Sequence, residues 1–240
     1  MTDPLARRAA AEYLGTLFLV ATVVGSGIMG DRLAGGNVAI ALLANTIATG
    51  AALVALILAF GPISGAHLNP VVTVADAMEG GIAWRETPHY VLAQISGGIS
   101  GTIAAHLMFG LHVVSLSRHE RSGPAQLFSE FVATFGLLAV IWGCARHRSN
   151  AVAFAVGAYI TAAYWFTAST SFANPAVTIA RALSDTFAGI RPADTPGFIV
   201  AQFTGGIAAT LVFRWLVPSL RLKAKDVTLP RDPASNNELN

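Results

Sequence analysis

Six stretches of the chain are long and continuously apolar. They lie near 9–30, 38–60, 88–112, 125–146, 151–168 and 196–217. A helix needs about 20 mostly apolar residues to cross a bilayer, so each stretch predicts a spanning helix. A membrane β-barrel would alternate apolar and polar residues, and these runs do not alternate. The first run contains Glu12 and is too long for a cleaved signal peptide. Two further apolar stretches, Leu68–Met78 and Ala173–Leu183, are only about half a span long. Each opens with an Asn-Pro pair, Asn69-Pro70 and Asn174-Pro175. Proline suits the first position of a helix, where no N–H is needed, and asparagine suits the cap before it. The pattern therefore predicts two half-helices, 69–78 and 174–183, that begin inside the membrane.

The two halves of the chain repeat one another. Glu12-Tyr13-Leu14-Gly15-Thr16 matches Glu130-Phe131-Val132-Ala133-Thr134, and Asn69-Pro70-Val71-Val72-Thr73 matches Asn174-Pro175-Ala176-Val177-Thr178. Gln94-Ile95-Ser96-Gly97-Gly98 matches Gln202-Phe203-Thr204-Gly205-Gly206, and the order is the same in each half. Three spans per half is an odd number, so the second half enters from the opposite face. The result is an inverted repeat with its axis in the membrane plane. The expected architecture is an all-α membrane protein of six transmembrane helices and two re-entrant half-helices. Residues 1–112 form the first repeat, 113–124 an outer connecting loop, 125–217 the second repeat and 218–240 a flexible cytoplasmic tail. Non-helical backbone at membrane depth is tolerable only beside protein or a water-filled cavity, so a central pore follows.

Composition agrees. Of 240 residues, 54% are hydrophobic and 12% charged, where a soluble domain carries about a quarter charged. The single cysteine, Cys144, excludes a disulfide scaffold and a cysteine-based zinc site. The net charge of +2 is too mild to suggest nucleic acid, and no motif suggests a cofactor or metal. With both termini cytoplasmic, the inside holds Arg7, Arg8, Arg85, Arg146, Arg148, Arg214, Arg221, Lys223, Lys225 and Arg231. The outside holds Arg32, Arg118, Arg121, Arg181 and Arg191. Ten against five supports that orientation. The basic tail is either solvated or rests on anionic lipid headgroups.

The segments Ser64-Gly65-Ala66-His67-Leu68-Asn69-Pro70-Val71 and Ala173-Asn174-Pro175-Ala176 resemble the major intrinsic protein family, the aquaporins and aquaglyceroporins. The resemblance covers nearly all of 9–217. It implies a right-handed six-helix bundle with one pore per subunit, a homotetramer, and a bacterial-type plasma membrane. Two departures stand out. Val71 replaces the alanine of the first Asn-Pro-Ala tripeptide, and Val177 stands where most members carry the arginine of the narrowest ring.

The midplane residues are Asn69 and Asn174. Two helix N-termini converge there, each worth about half a positive charge, and the amides can donate to a passing oxygen. Neutral solutes pass while cations meet a barrier. Family spacing places the outer constriction, or selectivity filter, at Thr49, Ala162, Ser171 and Val177. All four are small or medium and uncharged, which predicts a wide ring unless Phe172, Tyr159, Phe166 or Trp165 leans in. Arg181 lies near the same helix face further out. It is read as solvated or paired with Asp185, with a role as substitute cation the competing reading. Asp76 occupies the matching place on the other half-helix and faces Arg85 by the same logic. His67 lines the cytoplasmic half of the pore, as a static donor or a pH-sensitive one. His106 reads as packing. Glu12 and Glu130 need partners at that depth. Their symmetry and the resemblance point to support of the re-entrant loops, with a proton relay the alternative.

These features predict a passive channel for water and small neutral solutes such as glycerol and urea. The missing ring arginine resembles a subset of bacterial aquaglyceroporins linked to arsenical movement, which extends the expected solutes to arsenite and larger arsenicals. A water-selective pore and a secondary active transporter are the alternatives. The chain shows no Gly-x-Ser-x-Gly and no His-Glu-x-x-His, so an enzyme is not expected.

Overall fold

A computed structural model describes residues 3–147 and 149–217. The tail reading for 218–240 lies outside the described residues. Eight α-helices are present: α1 (Leu5–Leu33), α2 (Val38–Ser64), α3 (Pro70–Glu79), α4 (Thr87–Met108), α5 (Pro124–His147), α6 (Val152–Phe166), α7 (Pro175–Arg181) and α8 (Thr195–Leu216). No strand occurs among the described residues. Five of the six expected spans are helices long and apolar enough to cross a membrane, α6 is a shorter apolar helix, and α3 and α7 are the two half-helices.

The lengths depart from expectation in two places. The predicted span 151–168 is a helix of only 15 residues. At 1.5 Å per residue it covers about 22 Å, less than a bilayer core. It ends early because Thr167 is extended and leads the chain down into the second re-entrant loop. The half-helix expected over 174–183 stops at Arg181, after seven residues. The outer connecting loop meets the chain just beyond it: Ser117 and Ser115 donate backbone N–H bonds to the carbonyls of Ala182 and Leu183, at 3.0 and 3.1 Å.

Polarity is inverted relative to a soluble protein. Phe18, Ile47, Leu92, Phe128, Phe154 and Val200, one from each long helix, are exposed. Glu12, Glu130, Gln94, Gln202 and His106 are fully buried. An apolar exterior around a polar interior suits lipid as the surrounding solvent. The halves pack in parallel ways, α1 against α2 and α4, and α5 against α6 and α8. They also cross: α7 packs on α4, and α3 on α8. Arg214 of α8 donates from Nε to Glu79 Oε1 at 2.9 Å, which pins the far end of α3.

The helices approach closely at paired glycines, as small residues permit. A Cβ on Gly97 would strike the carbonyl oxygen of Tyr13, and one on Gly205 would strike that of Phe131. Tyr13 and Phe131 are themselves a repeat pair. Gly143 on α5 has ordinary room, with its nearest neighbour 3.6 Å from an ideal Cβ. Gly97→Ala should therefore lower the yield of monodisperse protein and its melting temperature in detergent. Gly143→Ala should be neutral, or stabilising by up to about 1 kcal/mol from helix propensity. Equal behaviour of the two variants would contradict close packing at Gly97.

Candidate functional site

Each re-entrant loop hangs on one buried carboxylate. Glu12 Oε1 accepts from Ser64 Oγ (2.6 Å) and His67 N (2.9 Å), and its Oε2 accepts from Leu68 N and Gln94 Nε2 (both 2.7 Å). In the second loop Glu130 Oε1 accepts from Phe172 N (2.9 Å), while Oε2 accepts from Ala173 N (2.9 Å) and Gln202 Nε2 (2.6 Å). The two glutamines also donate to Thr73 and Thr178, at 2.8 and 2.9 Å, on the first turns of α3 and α7. Each carboxylate thus ties a spanning helix, a loop and a half-helix together. Ala66 and Leu68 have φ of 46° and 50°, and their counterparts Ser171 and Ala173 have 49° and 48°. Such left-handed residues cost about 1–3 kcal/mol each, and the carboxylate grip on adjacent N–H groups holds them.

This bend brings the two helix tips together. Asn69 Oδ1 caps Val71 N at 2.9 Å, while its Nδ2 donates across to the carbonyl of Ala173 at 2.7 Å. Asn174 caps Ala176 N at 3.0 Å, and its Nδ2 donates to the carbonyl of Leu68 at 2.7 Å. Each amide fastens its own helix and the opposite loop. Both asparagines also line one cavity, whose lining includes Ala66 and His67 and reaches Arg181. The lining combines aliphatic side chains, Leu19, Val23, Ile57, Ile141 and Ile160, with the polar His67, the two asparagines, Ser171 and Arg181.

Thr49, Ser171 and Val177 line this cavity, but Ala162 does not. Ala162 is on the exposed side of α6, and its neighbours one half-turn away, Ile160 and Tyr164, face inward. Counting twelve residues back from Asn174 misplaces the position, because the irregular run from Thr167 to Ala173 intervenes. Tyr164 is the aromatic that sequence reasoning missed: it lines the cavity, and its OH donates to Thr49 Oγ1 at 3.3 Å. Among the aromatics considered, Phe172 lines the cavity, Trp165 and Phe166 are exposed, and Tyr159 donates to the Ala133 carbonyl at 3.0 Å.

Arg181 is neither solvated nor paired with Asp185. It is 2% exposed, lines the cavity, stacks on Phe172 with its guanidinium carbon 3.3 Å from the ring centroid, and donates from Nε to the Ala188 carbonyl. Asp185 instead faces Arg118. The Phe172 ring also meets Arg121, whose guanidinium carbon is 5.0 Å from the centroid and which donates to the carbonyls of Gly189 and Ser169 at 2.9 and 3.1 Å. Burial pushes the Arg121 guanidinium down to about 10, with Glu130 pulling the other way. Burial, then Arg121 and Arg181, lower the His119 imidazole at the same mouth. A ring free of aromatics and guanidinium is thus not what the chain builds.

At the other end, Asp76 is buried and faces His67 rather than Arg85, which is exposed. His67 Nε2 lies 3.4 Å from Asp76 Oδ2, and its Nδ1 lies 3.2 Å from Thr73 Oγ1. His106 is held between Ser184 Oγ (2.8 Å) and the Val113 carbonyl (3.1 Å), which suits packing.

The family model described as major intrinsic protein matches residues 2–151 and again 144–238. The chain belongs to the major intrinsic protein family. It is therefore a multi-pass membrane channel and not an enzyme. The aquaglyceroporin AqpS of Rhizobium meliloti is 54% identical over 217 residues, covering 90% of this chain and 93% of its own length. A probable aquaporin of Arabidopsis thaliana, NIP7-1, is 29% identical over 95% of this chain and 82% of its own length. A solved aquaglyceroporin structure from Plasmodium falciparum superposes with TM-score 0.72 at 20% identity, covering 91% of this chain and all of that one. At that identity the likeness speaks for the fold.

Charge-assisted bonds to a carboxylate are worth about 1.5–3 kcal/mol each. Glu130→Gln keeps the shape but turns two acceptor oxygens into one and adds an amide facing donors. The variant should melt several degrees lower in detergent and lose most water flux in proteoliposomes. Wild-type melting and flux would show that the loop does not depend on the carboxylate.

Proposed function

We propose that this family channel conducts glycerol-sized neutral solutes as well as water, passively. The observation that carries the reading is the cavity's mixed lining of aliphatic and polar side chains. A polyol can lay its carbon backbone on the aliphatic residues while its hydroxyls meet the polar ones, His67, the asparagines and Ser171. Val177, in place of the ring arginine that most relatives carry, puts an aliphatic side chain at that position of the lining. Urea and arsenous acid are small, neutral and oxygen-bearing, so the same path suits them, with larger arsenicals the upper limit. The apolar belt on all six long helices and the Lys/Arg bias fit a homotetramer in a bacterial-type plasma membrane, with both termini cytoplasmic.

Stopped-flow light scattering of reconstituted vesicles tests this with a panel of water, glycerol, urea and arsenous acid. All four should cross faster than in empty vesicles, without trans-stimulation in counterflow. Water flux alone would select the water-selective alternative, and trans-stimulation would select a transporter. Val177→Arg should cut glycerol flux more than water flux. Protons should stay excluded in the wild type, because the midplane dipoles remain; a proton current through purified protein would contradict that.

A further inference from the structure

The ring position that family spacing assigns to a cation is apolar in this chain, yet a guanidinium reaches the same cavity from elsewhere. Arg181 sits one turn beyond Val177 on α7 and folds back over Phe172, which lies two residues before Asn174. We propose that Arg181 is the specificity-determining residue of the outer constriction, reading solute oxygen and rejecting cations of the same shape. The proposal rests on the channel reading above and deepens it.

Three observations carry it. The guanidinium is fixed rather than free: Nε is held by the Ala188 carbonyl and the plane lies on Phe172. Its two terminal nitrogens have no protein acceptor among the described residues, although the side chain is buried and lines the cavity. A buried donor left without a partner is costly, and a permeating oxygen can supply one. Beside it Ser171, also on the cavity, has a buried Oγ without a hydrogen-bond partner. The surrounding charge does not cancel the cation. Arg121 meets the same ring, and the nearby carboxylate, Glu130, is already occupied by three donors.

The consequence is discrimination by charge at constant shape. Urea and the guanidinium ion are both small, trigonal and planar. Urea offers an oxygen to Arg181 and Ser171, whereas the ion offers only donors and a positive charge. Phe172 acts as a positioning residue, because it holds the guanidinium over the passage.

Wild type, Arg181→Leu, Arg181→Lys and Phe172→Leu in proteoliposomes decide the matter, with guanidinium-ion and urea flux each divided by water flux. Arg181→Leu should raise the guanidinium-ion ratio about tenfold and lower the urea ratio. Phe172→Leu should raise the ion ratio by about threefold, while Arg181→Lys keeps the charge but loses the anchored, stacked fork, so it should keep the ion ratio low and lower the urea ratio. A guanidinium-ion ratio in Arg181→Leu within about twofold of wild type would overturn the proposal. Should that variant not insert, an unchanged ratio in Phe172→Leu overturns it. Wild-type vesicles no more permeable to water and urea than empty ones would instead sink the channel reading itself.

Discussion

The structure depends on satisfying irregular backbone at membrane depth. Between Ser64 and Asn69, and again between Ser169 and Asn174, the chain is not helical, yet no bulk water is present to bond its N–H groups. Glu12 and Glu130 supply the acceptors. Burying a carboxylate costs several kcal/mol, and one hydrogen bond of about 1.5–3 kcal/mol would not offset that. Four donors on Glu12 and three on Glu130 do. Both carboxyl groups are thereby engaged by the loops and by the glutamines of α4 and α8.

Everything in the passage follows from where those carboxylates hold the loops. The left-handed residues before each asparagine turn the chain so that α3 and α7 begin tip to tip. The asparagine amides then bridge the halves, each to the carbonyl preceding the other asparagine. Two helix N-termini facing one cavity set a positive field that neutral solutes ignore and cations do not. Close packing at Gly97 and Gly205 brings α4 and α8 near enough for Gln94 and Gln202 to join the same networks.

The end of the passage at the second loop departs from this symmetry. The second loop carries Phe172, whose ring meets the guanidiniums of both Arg181 and Arg121. Arg121 comes from the connecting loop and braces the second re-entrant loop through its carbonyls. At the opposite end of the passage, the corresponding space holds His67 and Asp76. One end of the passage is thus built around cations, and the other around a histidine and an acid.

The repeat, the six spans, the two half-helices and the midplane asparagines were legible in the chain, because hydrophobic length and helix-start chemistry are local. The roles of Glu12 and Glu130 were legible because symmetry paired them. Ala162 was misassigned because counting along a chain assumes a fixed path, and the irregular loop from Thr167 to Ala173 breaks that count. Asp76 and Arg181 were given surface partners because spacing along a helix does not say how far a neighbouring element covers its end. The fold against Phe172 and the carbonyl of Ala188 decided where that guanidinium lies. Sequence by itself determined which segments cross the membrane and which helices start inside it, since these depend on nearest-neighbour polarity and capping. Only the tertiary structure decided which side chains reach the passage, since that depends on contacts between segments far apart in the chain.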